Sequence, residues 1–181
     1  MKRTIPRLAG LIVAAVVIGA VPVFARSSGT MTDDHVARIR TNCHLALATL
    51  SQIHANDAPV YVNRNQTYYS ISAKLMTRLN SRLSLNGYDT TELSKTAATY
   101  NSDLADFRSA YKQYDNLMDD VVRIDCTKEP VGFYDKVADA RAAREAVNDA
   151  VAKLTDDINR YRSQVGDFES RYFALPGEKK S

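Results

Sequence analysis

Leu93–Val121, LSKTAATYNSDLADFRSAYKQYDNLMDDV, is the stretch from which the fold is read. Its apolar and aromatic residues fall at Leu93, Ala97, Tyr100, Leu104, Phe107, Tyr111, Tyr114, Met118 and Val121. The steps alternate between four and three, a heptad rhythm that keeps one side chain per turn on a single helix face. A half-buried strand would instead alternate every second residue. The same rhythm recurs on both sides. After Pro130 it passes through Phe133, Val137, Ala140, Val147, Val151, Leu154, Ile158, Tyr161, Val165, Phe168 and Tyr172, and Arg144 breaks it at a seam position. Upstream it gives Val36, Ile39, Cys43, Ala46, Leu50 and Ile53, then Val60, Thr67, Ile71, Leu75, Leu79 and Leu83. Three seams predict three long helices, near 33–86, 90–125 and 130–173.

The punctuating residues agree. Between Thr30 and Leu175 the only prolines and glycines are Pro59, Gly87, Pro130, Gly132 and Gly166. Thr32 before Asp33-Asp34 reads as a helix start, because exposed amides and the dipole at that end favour acidic groups. Asn86-Gly87 supplies a turn, Asp89-Thr90-Thr91-Glu92 a variant capping box, and Pro130 a first-turn proline. Short connections make neighbouring helices antiparallel. The expected fold class is all-α, an elongated antiparallel three-helix coiled-coil-like bundle.

Pro59 is the one irregularity. A helix running straight through it would carry Asp57 and Arg64 in its seam, and an interior proline costs about 3 kcal/mol. The first helix is therefore expected to kink or break near Pro59, with Asn56 or Asp57 capping a fresh start. Arg64 would then lie on the surface, or pair as a seam cation with an acid such as Asp115.

The N-terminus fixes the expected compartment. Met1–Arg7 is basic, Leu8–Phe24 is largely apolar, and Val23-Phe24-Ala25 offers a cleavage site, so residues 1–25 read as a signal peptide. An uncleaved anchor is the alternative, because the run sits at the lower edge of the roughly 17–25 residues that span a bilayer. Residues 26–31 follow as a linker, 32–174 as the helical bundle and 175–181 as a flexible tail. The chain carries 24 Lys plus Arg and 21 Asp plus Glu. Lys2, Arg3 and Arg7 account for the excess of three, and a neutral remainder has no electrostatic footprint for nucleic acid. In an exported chain, Cys43 and Cys126 are expected to bond to each other. Such a bond closes a loop of about 84 residues, worth at most about 4.5 kcal/mol by chain entropy. About Gly87, Cys126 should face position 48, five residues from Cys43. A break at His54–Pro59 would absorb that slack; so would an unwinding after Asp125.

No catalytic constellation appears, and an enzyme is not expected; nor is a cofactor or metal. His35, His44 and His54 lack the spacing of three or four that puts two ligands on one helix face. The doublets Asp33-Asp34, Asp119-Asp120 and Asp156-Asp157 read as solvated faces, since adjacent residues diverge on a helix. The tyrosines are expected to fill a thin core with their hydroxyls reaching solvent at its edge. Residues 33–86 carry a net +3 and 88–126 a net −4, so the first two helices should attract.

Ile39-Arg40-Thr41-Asn42-Cys43, Val62-Asn63-Arg64-Asn65-Gln66, Ser70-Ile71-Ser72-Ala73-Lys74-Leu75-Met76 and Cys126 through Val131-Gly132-Phe133-Tyr134-Asp135 form a set. In these motifs the chain resembles uncharacterised exported helical proteins of Saccharibacteria and related candidate-phylum bacteria. The resemblance covers about half the chain and implies an envelope-associated helical protein with a paired cysteine. It transfers no active site.

Two functions are therefore weighed. The first is a disulfide-locked structural or interaction protein of the cell envelope, binding a protein partner there or itself, with membrane contact only through residues 8–24. The second is a ligand-sensing or small-molecule-binding bundle with a tyrosine-rich pocket, its contacts drawn from Arg64, Tyr68, Tyr111, Tyr114 and Asp115. Occupied seams favour the first. The mature chain is expected to begin at Arg26, which N-terminal sequencing of cell fractions checks; recovery of Met1 or Lys2 from membranes would make it an anchored protein instead.

Overall fold

The computed structural model describes residues 31–173. The expected signal peptide, the linker up to residue 30 and the tail lie outside the described residues. Helix accounts for 90% of what is described, and no strand occurs among those residues. Helix α1 spans Asp33–Ser70, a π-helical segment Ile71–Met76 joins it to α2, Thr77–Leu85, and α3 and α4 span Thr91–Arg123 and Pro130–Tyr172. The residues joining α1 to α2 keep right-handed helical dihedrals, so α1, the π segment and α2 form one arm.

Each boundary has a local cause. Thr32 is extended, and its hydroxyl accepts the His35 amide at 3.4 Å. The first arm ends where Gly87 takes φ +79°, a conformation that costs a side chain but not glycine. Its amide then reaches the Ser84 carbonyl and that of Tyr88 reaches Leu83, satisfying two of the helix's terminal carbonyls. At the start of α3 the expected capping box is not formed. Asp89 Oδ1 instead accepts the Thr91 amide at 3.0 Å and the Thr91 hydroxyl at 2.7 Å, and these bonds hold the Asp89 carboxyl below its ordinary pKa. Pro130 opens α4 at its first turn.

The α3 seam lies inward as its rhythm requires. All nine of its residues are buried, joined by Thr96. In α4 the buried set is Pro130, Phe133, Ala140, Ala143, Ala150, Leu154, Asp157, Tyr161 and Phe168. The valines of the expected seam lie at its flank, half-buried, because α4 packs on both α3 and the first arm. Ala140 and Ala143 pack in one cluster with the rings of Tyr111 and Tyr114, small residues making room for large ones.

The first arm departs from expectation. No break occurs at Pro59, which lies inside α1. Beyond Ile53 the face toward the bundle is carried by His54, Asp57, Tyr61, Asn65, Tyr68, Ser72, Met76 and Asn80, with Ile71, Leu79 and Leu83 of the expected seam packed beside them, whereas Val60 and Leu75 are exposed. Inward positions at Tyr68, Ser72, Met76 and Asn80 are each four apart. In an α-helix, a step of four overshoots a turn by about 40°. The wider π turn, which spends an extra residue, brings those positions back to one face. Its ends are marked by two buried tyrosines. Tyr100 donates to the Tyr68 carbonyl at 3.1 Å, and Tyr161 shares its proton between the Met76 carbonyl at 3.2 Å and Asn80 Oδ1 at 2.6 Å.

Cys43 and Cys126 are bonded, with Cα atoms 5.6 Å apart across a sequence separation of 83. The slack is taken up after α3, which stops at Arg123, with Ile124 in extended backbone. Extended residues rise more than twice as far as helical ones. Asp125 then organises the turn. Its carboxylate accepts the Thr127 hydroxyl, the Lys128 ammonium and the Thr127 and Lys128 amides, which hold it far below the usual range. Removing the bond by C43S/C126S is expected to cost about 2–4.5 kcal/mol, read as a lower urea midpoint.

Candidate functional site

Charged residues interrupt the seams of both α1 and α4, among them Asp57 and Arg144. These two interruptions face one another. Arg144 Nη2 lies 3.3 Å from Asp57 Oδ1, and the Tyr114 hydroxyl of α3 donates to Asp57 Oδ2 at 2.6 Å. One carboxylate thus ties three helices together. Burial, followed by the bond to Asp57, raises the Tyr114 hydroxyl above its ordinary pKa, so it stays a donor. An unbroken helix is tolerated here because its seam acid finds two partners.

Beside this triad lies a cleft of about 180 Å³ lined from all three helices. Asp57, Val60, Tyr61 and Arg64 come from α1, Phe107, Tyr111 and Tyr114 from α3, and Arg144, Val147 and Asn148 from α4. Tyr61 and Tyr111 stack with ring centroids 3.6 Å apart and planes within 4°. Tyr111 is only 8% exposed, and its hydroxyl has no hydrogen-bond partner among the described residues. Burial first, then the carboxylates of Asp115 and Asp57, push that hydroxyl up to about 12.

Of the sequence candidates, Arg64, Tyr111 and Tyr114 meet in this cleft. Tyr68 does not line it. Its ring stands edge-on to Phe107 at 5.4 Å, and its carbonyl serves Tyr100. Asp115 is engaged by His54, whose Nε2 is 2.7 Å away, so the Arg64–Asp115 pair is not formed. Arg64 is exposed and makes no ion pair among the described residues. Apart from His54, the first arm's basic surplus makes no ion pair with α3 among those residues. The tyrosine hydroxyls also differ from expectation. Those of Tyr100, Tyr114 and Tyr161 turn inward to carbonyl, amide or carboxylate acceptors, because a buried hydroxyl left unpaired is costly.

A second, more apolar groove of about 450 Å³ lies between α1 and α4, with Ile39, Leu50, Phe133 and Val137 in its walls. Exposed Leu45 and Tyr134 stand on the same two helices. Among the described residues no three His, Cys, Asp or Glu side chains cluster as a metal would need. No described helix is long and apolar enough to cross a membrane.

Asp157 corrects the reading of its doublet as solvated. It is 3% exposed and faces Asp103 of α3, with Arg160 Nη1 3.8 Å away and Asp156 beside it in sequence. Burial first, then the facing Asp103 carboxyl, push its own carboxyl up to about 6, and its Oδ2 makes no hydrogen bond among the described residues.

No family model, curated protein or solved structure matches the chain. Function is therefore argued from these side chains. The sign of the Asp157 effect is fixed, because a raised folded-state pKa means that folding favours the protonated form. Its contribution to stability is complete below about pH 4 and is lost as pH rises through about 6. D157N is expected to unfold at a higher urea concentration than wild type at pH 7 and to flatten the pH dependence between 4 and 6.

Proposed function

We propose that the chain is an exported, disulfide-locked structural and interaction protein of the cell envelope, without catalysis. The observation that carries this reading is the Cys43–Cys126 bond, whose two residues are 2% and 0% exposed. Bonds of this kind persist in oxidising compartments and are rare in the cytosol. The basic and apolar stretches at the head of the sequence supply the route.

In this reading the three helices form an antiparallel coiled-coil-like bundle. Contacts that advance along α1 from His54 to Asn65 retreat along α3 from Asp115 to Arg108, which supports it. The disulfide braces the free end of the first arm against the α3–α4 turn. Exposed apolar side chains, Leu45 at 70% and Tyr134 at 55%, then give a protein partner or a second copy something to hold.

Blocking thiols in intact cells before fractionation tests this. The protein is expected in the envelope or the medium, with both cysteines unreactive until reduced. A photo-crosslinking residue at Leu45 is expected to give one discrete adduct. Recovery from the cytosol with two alkylated thiols would overturn export, and the absence of any adduct would overturn the interaction role.

A further inference from the structure

The outer face of the first arm, on the half nearer Gly87, carries charge that the bundle does not use. Between Asp57 and Asp89 lies none of the chain's 21 Asp and Glu residues, yet Arg64, Lys74, Arg78 and Arg82 all fall there. Three of these cations form a row. Lys74, Arg78 and Arg82 each follow by two residues a buried residue of the inward face, Ser72, Met76 or Asn80. Two residues are roughly half a turn of helix, so the row stands on the side away from the bundle. All three are exposed, and none makes an ion pair among the described residues.

Apolar side chains share that stripe. Leu75 lies three residues before Arg78 and Leu85 three beyond Arg82, which makes them neighbours on the helix surface. Leu75 is 62% exposed and Leu85 87%, the highest value for a large apolar side chain among the described residues. Cations set among exposed leucines on a helix face are the composition of a surface that rests on lipid headgroups.

Shape and charge select the occupant. The stripe follows the convex side of a helix, a poor enclosure for a small molecule. A nucleic acid would engage the cations but leave Leu75 and Leu85 uncovered. A second copy is poorly matched, because the acid-rich end of α3 is already engaged, Asp115 by His54, Asp119 by Arg123 and Asp120 by Lys136. An anionic bilayer accepts both components at once, the cations at its phosphates and the leucines just beneath them.

We propose that this stripe binds an anionic lipid surface, with Lys74, Arg78 and Arg82 on the phosphates and Leu75 and Leu85 at the acyl-chain boundary. The first arm lies along the surface, and the net-negative α3 and α4 stand off from it. This contact is additional to the one expected through residues 8–24, and it does not depend on export.

Co-sedimentation of the oxidised full chain with vesicles of phosphatidylcholine, or of phosphatidylcholine and phosphatidylglycerol in equal parts, tests this. Binding to the anionic vesicles is expected to be at least about tenfold tighter, and the preference to shrink as added salt screens it. K74Q/R78Q/R82Q, at exposed positions, is expected to keep the wild-type unfolding temperature and to lose at least about tenfold in affinity for the anionic vesicles. L75S/L85S is expected to weaken that binding severalfold. K153Q/R162Q/R171Q, which takes the same charge from exposed positions of α4, is expected to bind like the wild type. Every variant retains residues 8–24, so a contact through that segment is common to all of them. Equal binding to the two vesicle types would overturn the proposal, as would undiminished binding by either stripe variant or an equal loss in the α4 variant. Self-association that is lost in K74Q/R78Q/R82Q, without a preference for anionic vesicles, would assign the stripe to a second copy and overturn it too.

Discussion

Three tyrosines buried between the helices place their hydroxyls on acceptors of the first arm, and these bonds organise the bundle. An unpaired buried hydroxyl costs about 1–3 kcal/mol, a large part of the 5–15 kcal/mol by which an ordinary domain is stable. Helix α3 sends Tyr100 and Tyr114 toward the first arm, and α4 sends Tyr161. The arm answers with the carbonyls of Tyr68 and Met76, the amide of Asn80 and the carboxylate of Asp57. Hydrogen bonds are directional, whereas an apolar seam tolerates sliding by a turn. These three contacts therefore pin the register of the arm against α3 and α4. The π segment lies between two of them, Tyr68 and Met76, so the helix departs from α geometry where side chains from neighbouring helices engage its backbone.

The two ends of the bundle are closed by different physics. At the Gly87 end, Tyr88, Phe168 and Tyr172 meet edge-on or tilted with ring centroids 4.7–5.4 Å apart, an apolar cap over the turn. At the other end a covalent bond adds to the packing of Met118, Val121 and Phe133. Cys43 is the only buried residue of α1, and its partner sits in the turn that Asp125 shapes. Arg40 adds a bond from its Nε to the Thr127 carbonyl at 3.2 Å. The long first arm keeps its place because it is tied covalently at one end and by the five residues 86–90 to α3 at the other.

How much of this is legible in sequence differs by helix, for a physical reason. Every inward position of α3 except Thr96 is apolar or aromatic, so hydrophobic periodicity finds its face without error. In α4 the rhythm is right, but the face is wider than one seam, and alanines and a buried acid escape notice. The first arm is only half legible because polar residues share its inward face: Ile71, Leu79 and Leu83 pack against the core as the rhythm predicts, but His54, Asp57, Asn65, Ser72 and Asn80 look like solvent-facing residues. A reading that follows apolar residues then selects Val60 and Leu75, which point outward. The expected break at Pro59 rests on proline's cost inside a helix and on counting Asp57 as a seam defect, whereas Asp57 finds two partners in an unbroken helix. One signal was available. Asp57 and Arg144 each spoil a seam, and two seam defects of opposite charge are most simply resolved by placing them against each other.

That pairing also explains why a cleft exists. Uninterrupted leucine and isoleucine seams close on each other at interior density. A layer built from Asp57, Tyr114 and Arg144 instead holds its members at hydrogen-bond distances and leaves the neighbouring layer incompletely filled. Buried polar groups of this kind contribute little net stability compared with well-packed apolar ones. What they contribute is a defined arrangement of donors. In the adjoining layer, Tyr111 stacks flat on Tyr61 with its hydroxyl unspent, and Arg64 stands at the rim without a counter-charge. The polar layer thus trades close packing for directional bonds from two neighbouring helices to one carboxylate, which fix how far apart the three helices stand.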